Sequence, residues 1–151
     1  MRIRLLALAP IAAVMLASCA KEEELYVDKS WVTLPAVGGN PAAAYFTIHG
    51  GPADDALISV TTDTAIRTEM HESMSHGGMM TMQPLSNVPV PAKSTVEFKP
   101  GGKHVMFFEL RSTAKPGGAL RMVLTFQRGD RLIVDAPIYA AGQGPKDQDK
   151  P

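Results

Sequence analysis

The sequence predicts an all-β fold, a single-domain β-sandwich or barrel of about eight or nine short strands. Short runs rich in β-branched and aromatic residues recur along the chain, and none has the periodicity of a long helix. The 13 glycines and 12 prolines mark frequent turns between these runs. A length of 151 residues is enough for one domain with a buried core. The 15 basic and 15 acidic residues balance, so nothing in the charge predicts nucleic-acid binding.

The N-terminal residues predict export from the cytoplasm. Two arginines precede an apolar run over residues 5–16, which is too short to cross a membrane as a mature helix. The run ends in Leu16-Ala17-Ser18-Cys19, which resembles the bacterial lipobox. Residues 1–18 are therefore predicted to be a lipoprotein signal peptide, and residues 19–26 a tether.

Cys19 is the only cysteine of the sequence, and the lipobox resemblance implies that it carries a lipid anchor. The protein would then lie on the periplasmic side of the cell envelope, and Ala20 at the next position favours the outer membrane. The alternative is ordinary signal cleavage, for instance after Ala20, which would release a soluble periplasmic protein. In both cases the exported domain has no free thiol, which suits an oxidising compartment.

Each predicted strand is a short apolar or alternating segment bounded by turn residues. The strands are expected over residues 27–34, 45–48, 56–62, 65–72, 79–83, 94–98, 104–110, 120–126 and 132–138. Three alanines over residues 42–44 could begin the second segment as a helix. Residues 88–91 are expected to be an edge strand or loop, because their prolines cannot donate ladder hydrogen bonds. The sandwich should occupy residues 27–141, and the polar tail over 142–151 should be disordered.

The fourth predicted strand, over residues 65–72, alternates with a period of two. Ile66 and Met70 share a face that we expect to be buried, and His71 lies on the opposite face. Residues 73–78 are small and polar and include two glycines. They predict a turn or flexible loop before the chain returns as the next strand.

The segment over residues 70–106 concentrates side chains that bind soft metals. It holds three of the four histidines and six of the nine methionines. They are His71, His76, His104, Met70, Met74, Met79, Met80, Met82 and Met106. Imidazole and thioether groups without a thiolate or an acidic cluster indicate a soft monovalent ion, for which copper as Cu(I) fits best.

Two pairs in this segment are spaced to share an ion. His104 and Met106 are two positions apart on a predicted strand, so they project from one face, roughly 6–7 Å apart at the backbone. Val105 between them would point into the sandwich. His71 and Met82 lie on either side of the glycine-containing loop, and a hairpin would bring them side by side. The pattern leaves open whether the two pairs meet.

The spacing of these four residues resembles the signature of the periplasmic copper chaperone family called PCuAC. Ten residues separate His71 from Met82, twenty-one separate Met82 from His104, and one separates His104 from Met106. One departure is Gly50-Gly51, where the family pattern has an asparagine. The similarity extends over most of the exported chain, through Trp31, Tyr45, Ile48, residues 88–92, residues 99–102, Leu124 and Phe126.

The resemblance implies a cupredoxin-like or Ig-like β-sandwich that holds Cu(I) at its rim. The implied ligands are His71, Met82, His104 and Met106. Members of the family deliver copper to the CuA centre of cytochrome c oxidase or to Sco-like thioredoxin-fold proteins, so these partners are implied as well. No Ser-His-Asp, paired-carboxylate or phosphate-loop pattern predicts catalysis, and the implied role is a non-enzymatic copper chaperone.

Two other functions remain open at this point. A copper-buffering or resistance lipoprotein would use the same site without dedicated delivery. A β-sandwich interaction module would carry the methionine-rich and histidine-rich segment incidentally.

The remaining histidine and methionine residues near the glycine loop have two interpretations. They are either ordinary loop residues or a second, weaker copper site on a mobile flap, where Cu(II) could also bind. The residues are His76, Met74, Met79 and Met80. Met80 is the best additional candidate, because it would share a strand face with Met82. His49 and Met122 are expected to be structural.

Overall fold

The computed structural model describes residues 24–146, which form ten β-strands and no helix. The all-β prediction is confirmed, with ten strands in place of eight or nine. The strands are β1 (Tyr26–Thr33), β2 (Ala42–His49), β3 (Asp55–Thr61), β4 (Ala65–His76), β5 (Met79–Leu85), β6 (Val88–Val90), β7 (Thr95–Phe98), β8 (Lys103–Leu110), β9 (Ala119–Phe126) and β10 (Arg131–Tyr139). The predicted leader, Cys19 and residues 147–151 lie outside the described residues. Over the range that is described, no helix is long and apolar enough to span a membrane.

The strands join in one hydrogen-bonded series, in the order β5-β4-β8-β7-β2-β1-β10-β9-β3-β6. The pairings are antiparallel except for β1 with β10 and β7 with β8. Strand β2 pairs with β8 through Ala42–Ala44 and with β7 through Phe46–His49. Strand β10 pairs with both β1 and β9, so it connects two halves of the series. One half holds β5, β4, β8, β7, β2 and β1, and the other holds β9, β3 and β6.

The two halves enclose one hydrophobic core. Val105 and Phe107 of β8 and Leu124 of β9 are fully buried members of the same cluster, although their strands lie in different halves. The Thr68 hydroxyl of β4 donates to the Val60 carbonyl of β3 at 2.5 Å, which ties the halves together at one side. This arrangement is the expected sandwich. Because inward residues alternate with outward ones, the residues beside Val105 face away from the core.

The structure corrects the predicted loop over residues 73–78. Strand β4 continues to His76, and β5 begins at Met79, so only Gly77 and Gly78 form the turn. Both glycines have positive φ angles, 59° and 83°, which is the geometry of a two-residue type I′ hairpin turn. Two glycines are enough to reverse the chain, and the small polar residues before them remain paired in the strand.

The structure corrects two further expectations. The helical alternative for the alanines is wrong, because the whole of β2 is strand and both Ala42 and Ala44 are fully buried. Ile66 was expected in the core but is 73% exposed, whereas Met70 on the same strand is buried. Period-two alternation predicts which side of the strand a residue faces. It does not predict whether the opposite half of the sandwich extends far enough to cover that residue. The tail is described to Lys146 and lines a groove with Trp31.

The departure from the family pattern at Gly50, where an asparagine was expected, has a steric cause. A Cβ atom at Gly50 would overlap the Pro91 carbonyl oxygen, and it would lie 3.3 Å from the Ser94 nitrogen. The Gly50 amide also donates to the Ser94 carbonyl at 2.8 Å. The segment that follows β6 therefore packs directly on the end of β2, and a residue with a side chain has no room there.

Candidate metal centre

The strand register brings the four predicted ligands onto one face. In the pairing of β4 with β8, His71 lies directly opposite His104, and Glu69 lies opposite Met106. In the pairing of β4 with β5, Met82 lies opposite Ser73, two positions along from His71. Residues directly opposite in an antiparallel pair share a face, and diagonal neighbours are within reach of long side chains. Both predicted pairs therefore meet on the outer face of three adjacent strands.

The two imidazoles are sheltered, and one thioether is open to solvent. The ring centroids of His71 and His104 are 6.0 Å apart. His104 is only 5% exposed although it lies on the outer face, and the side chain of His71 is 14% exposed. Met106 is half-buried, whereas Met82 on the edge strand β5 is 59% exposed. An ion can therefore approach from the Met82 side.

A backbone carbonyl fixes the tautomer of His104. The Nδ1 atom of His104 lies 2.9 Å from the Gly102 carbonyl oxygen. A carbonyl oxygen can only accept, so Nδ1 must carry the proton in this bond. In the neutral ring, Nε2 then keeps its lone pair and is available to a metal ion.

A carboxylate contacts His71, and this contact was not predicted from the sequence. The Nε2 atom of His71 lies 2.8 Å from Glu69 Oε2, and Arg67 contacts the same carboxylate. The hydrogen bond from His71 lowers the pKa of Glu69, and the charge of Arg67 lowers it further, so the carboxylate stays ionised. Glu69 was overlooked because no acidic cluster was visible, although its position two residues before His71 on a strand places it on the same face.

The other ring nitrogen of His71 has no hydrogen-bond partner in the part of the chain that the structure describes. Nδ1 is buried and makes no hydrogen bond to any residue in the range 24–146. A buried polar atom without a partner carries a desolvation cost of about 1–3 kcal/mol. An unpaired ring nitrogen can act as a metal ligand, and the thioethers on the same face are soft ligands, so the donor set fits a soft cation.

A group of aromatic side chains lies beside His104. The ring of Tyr45 lies 6.5 Å from that of His104, and burial raises the pKa of Tyr45. Trp31 packs against Tyr45 at 4.5 Å and meets Tyr139 edge-on at 6.1 Å. The Tyr45 ring therefore lies beside the imidazole of His104, which is itself buried. The resemblance had included Trp31 and Tyr45 without a role for either.

The register divides the additional candidates between two faces. Met80 lies opposite Ser75 and shares the face of Met82, so it stays a candidate for an additional ligand. Met74 lies opposite Thr81, and His76 lies opposite Met79. Met74 and Met79 alternate with the centre's residues and belong to the opposite face.

His49 and Met122, which were expected to be structural, both lie in structural contacts. His49 Nε2 lies 3.0 Å from Asp28 Oδ1, and its ring stacks on Tyr26. Met122 is fully buried in the core. Among the described residues, no group of three or more His, Cys, Asp and Glu side chains is arranged to hold a metal. The candidate centre takes half of its ligands from methionine.

A family model described as LpqE-like lipoprotein matches residues 25–138, which include β1 to β9 and all but the last residue of β10. The chain belongs to the LpqE-like lipoprotein family. A curated relative of this LpqE-like chain, named as lipoprotein Lxx21020 of Leifsonia xyli subsp. xyli (strain CTCB07), is 30% identical over 114 residues. The match covers 74% of the chain and 68% of that relative.

Solved structures with the same fold are PCuAC domains and a related protein. The apo PCuAC domain from PmoF1 is 26% identical, with a TM-score of 0.64, covering 79% of the LpqE-like chain and 96% of that domain. The Cu(I) form of DR1885 from Deinococcus radiodurans is 25% identical, with a TM-score of 0.60 and coverages of 81% and 83%. The copper-bound PCuAC domain from PmoF2 is 22% identical and shares the fold, with a TM-score of 0.65 over 79% and 95%. The predicted PCuAC resemblance and cupredoxin-like fold are confirmed.

Proposed function

We propose that the protein is a copper chaperone of the cell envelope. It binds one Cu(I) through His71, Met82, His104 and Met106 and delivers it to the CuA centre of cytochrome c oxidase or to a Sco-like protein. The observation that carries the proposal is the buried, unpartnered Nδ1 of His71 on the face that also holds the other three residues. The copper-bound relatives of the same fold support copper as the cargo.

The chemistry of the four side chains suits a carrier. The two thioether sulfurs are soft ligands that favour Cu(I), and the two imidazole nitrogens are borderline ligands that suit copper. None of them is a thiolate, which would hold the ion more strongly and oxidise outside the cytoplasm. Met82 is exposed at the edge of the sheet, so a partner's ligand can replace it first. Copper then moves by ligand exchange, and no bond of a substrate is broken.

X-ray absorption of the Cu(I)-loaded protein tests the ligand set. We expect both nitrogen and sulfur neighbours around the copper, because imidazole and thioether contribute equally to the proposed shell. The measurement is the extended fine structure at the copper edge with one equivalent bound. A shell of nitrogen or oxygen alone would contradict the assignment.

Transfer separates a chaperone from the alternative, a copper-buffering or resistance lipoprotein. The loaded protein is mixed with an apo CuA domain or with a Sco-like protein, and the copper is followed by absorbance. Movement of copper to either acceptor supports delivery. Copper that stays on the loaded protein in both mixtures supports buffering.

Lipid anchoring at Cys19 is the proposed localisation device. The lipobox-like run before Cys19 and the lipoprotein name of the family support it. The anchor would hold the protein at the periplasmic side of the envelope, with the outer membrane favoured. We expect a Cys19→Ser variant to move from the membrane fraction to the soluble fraction. A wild-type protein already soluble after export would support plain signal cleavage.

A further inference from the structure

Among residues 24–146, Glu69 is the charged side chain that forms a hydrogen bond with a proposed ligand. Its Oε2 atom lies 2.8 Å from His71 Nε2, and its position on β4 is directly opposite Met106. Only about a third of its side chain is exposed, at 34%. The carboxylate is therefore held beside the ion's proposed position.

We propose that Glu69 is a positioning residue for copper binding. It fixes the ring of His71 so that Nε2 carries the proton and Nδ1 presents its lone pair to the ion. This inference rests on the proposed function, because it assigns a role in copper binding to a residue outside the ligand set.

The argument begins with the hydrogen bond itself. An ionised carboxylate has no proton to donate, so Nε2 of His71 must be the donor. A neutral imidazole has one donor and one acceptor nitrogen, and Nδ1 is then the acceptor. No neighbouring group in the described range donates to Nδ1, and the atom is buried. The lone pair of Nδ1 is left free for an ion.

The two histidines are held in opposite tautomers. The Gly102 carbonyl takes the proton of His104 Nδ1 and frees Nε2, whereas Glu69 takes the proton of His71 Nε2 and frees Nδ1. Separate acceptors thus fix both rings before copper arrives. Such outer partners orient a ligand and raise its basicity, and their loss typically lowers metal affinity by about 10–100-fold.

Glu69 is itself restrained by a neighbour. Arg67, two residues earlier on the same face of β4, forms an ion pair with its other carboxylate oxygen. The guanidinium of Arg67 also lies over the ring of Phe108, 3.8 Å from the ring centroid. The carboxylate is therefore held from one side and has little freedom to turn away from His71.

The test compares Glu69→Ala and Glu69→Gln with a matched control. Glu72→Gln is the control, because Glu72 lies on the same strand, is 33% exposed and accepts from Lys103 on the other face. We expect Glu69→Ala to weaken Cu(I) binding by about 10–100-fold. Glu69→Gln should lose less, since its amide oxygen still accepts, and Glu72→Gln should bind as the wild type does.

Nitrogen NMR of the apo protein gives a readout that does not depend on copper. The wild type should show His71 with the proton on Nε2, and Glu69→Ala should show a mixture of tautomers. Wild-type affinity in Glu69→Ala, or a wild-type His71 protonated on Nδ1, would overturn the positioning role and leave the proposed function intact. Failure of the wild type and of Glu72→Gln to bind Cu(I) would instead overturn the proposed function.

Discussion

Replacing Met82 and Met106 together with alanine is expected to abolish Cu(I) binding at the centre. Loss of one partner outside the ligand set costs about 10–100-fold in affinity, so loss of two ligands should exceed 100-fold. The site would keep its two imidazoles but would lose the soft sulfur ligands that favour Cu(I). Competition against a chromophoric Cu(I) chelator measures the affinity of the variant and of the wild type.

The matched control removes two methionines from the opposite face of the same hairpin. Met74→Ala with Met79→Ala deletes the same number of thioethers, and neither residue shares the face of His71. We expect this variant to keep the high-affinity site. A second, weaker equivalent of copper that disappears in the control would assign an additional site to that face, and no such equivalent would leave these methionines as ordinary strand residues.

The outcome also tests the interaction-module alternative. If the Met82 and Met106 double variant binds Cu(I) as tightly as the wild type does, the methionines of the segment are incidental. Misfolding is not expected to imitate a loss of binding, because Met82 is 59% exposed and Met106 lies outside the buried core. Circular dichroism of the apo variant checks this point.

Local alternation was enough to predict how β8 faces the core. His104 and Met106 were expected on one face and Val105 on the other, and Val105 is fully buried. This succeeds because side-chain direction along a strand depends only on position. The same rule places Glu69 on the face of His71, although Glu69 was not among the predicted site residues.

The meeting of the two ligand pairs could not be predicted. It depends on β4 pairing with β8 in the register that sets His71 opposite His104, and those strands are far apart in the sequence. Neither strand alone encodes that register, because it is set by burial of Met70 and Val105 against the other half of the sandwich. The family resemblance supplied what local pattern could not.

Phe107→Ala is expected to lower the free energy of unfolding by about 3–5 kcal/mol, through lost burial and the cavity left behind. Phe107 is fully buried and follows Met106 on β8, which pairs with both β4 and β2. Chemical denaturation of the apo protein measures the loss. Ile133→Ala is the control, since Ile133 is 68% exposed and should change stability by less than about 0.5 kcal/mol.

Cu(I) binding should restore part of the free energy of unfolding that the Phe107 substitution removes. The ligands come from three strands that adjoin only in the folded chain, so Cu(I) binds the native state and adds about 2.7 kcal/mol when free copper is 100 times the dissociation constant. If Phe107→Ala does not fold, Phe107→Leu leaves a smaller cavity and permits the same comparison. Equal stabilisation of the wild type and Phe107→Leu by copper is the expected result. Stabilisation of neither would mean that the native fold does not assemble the ligands, and the single face of β5, β4 and β8 would then have no part in binding copper.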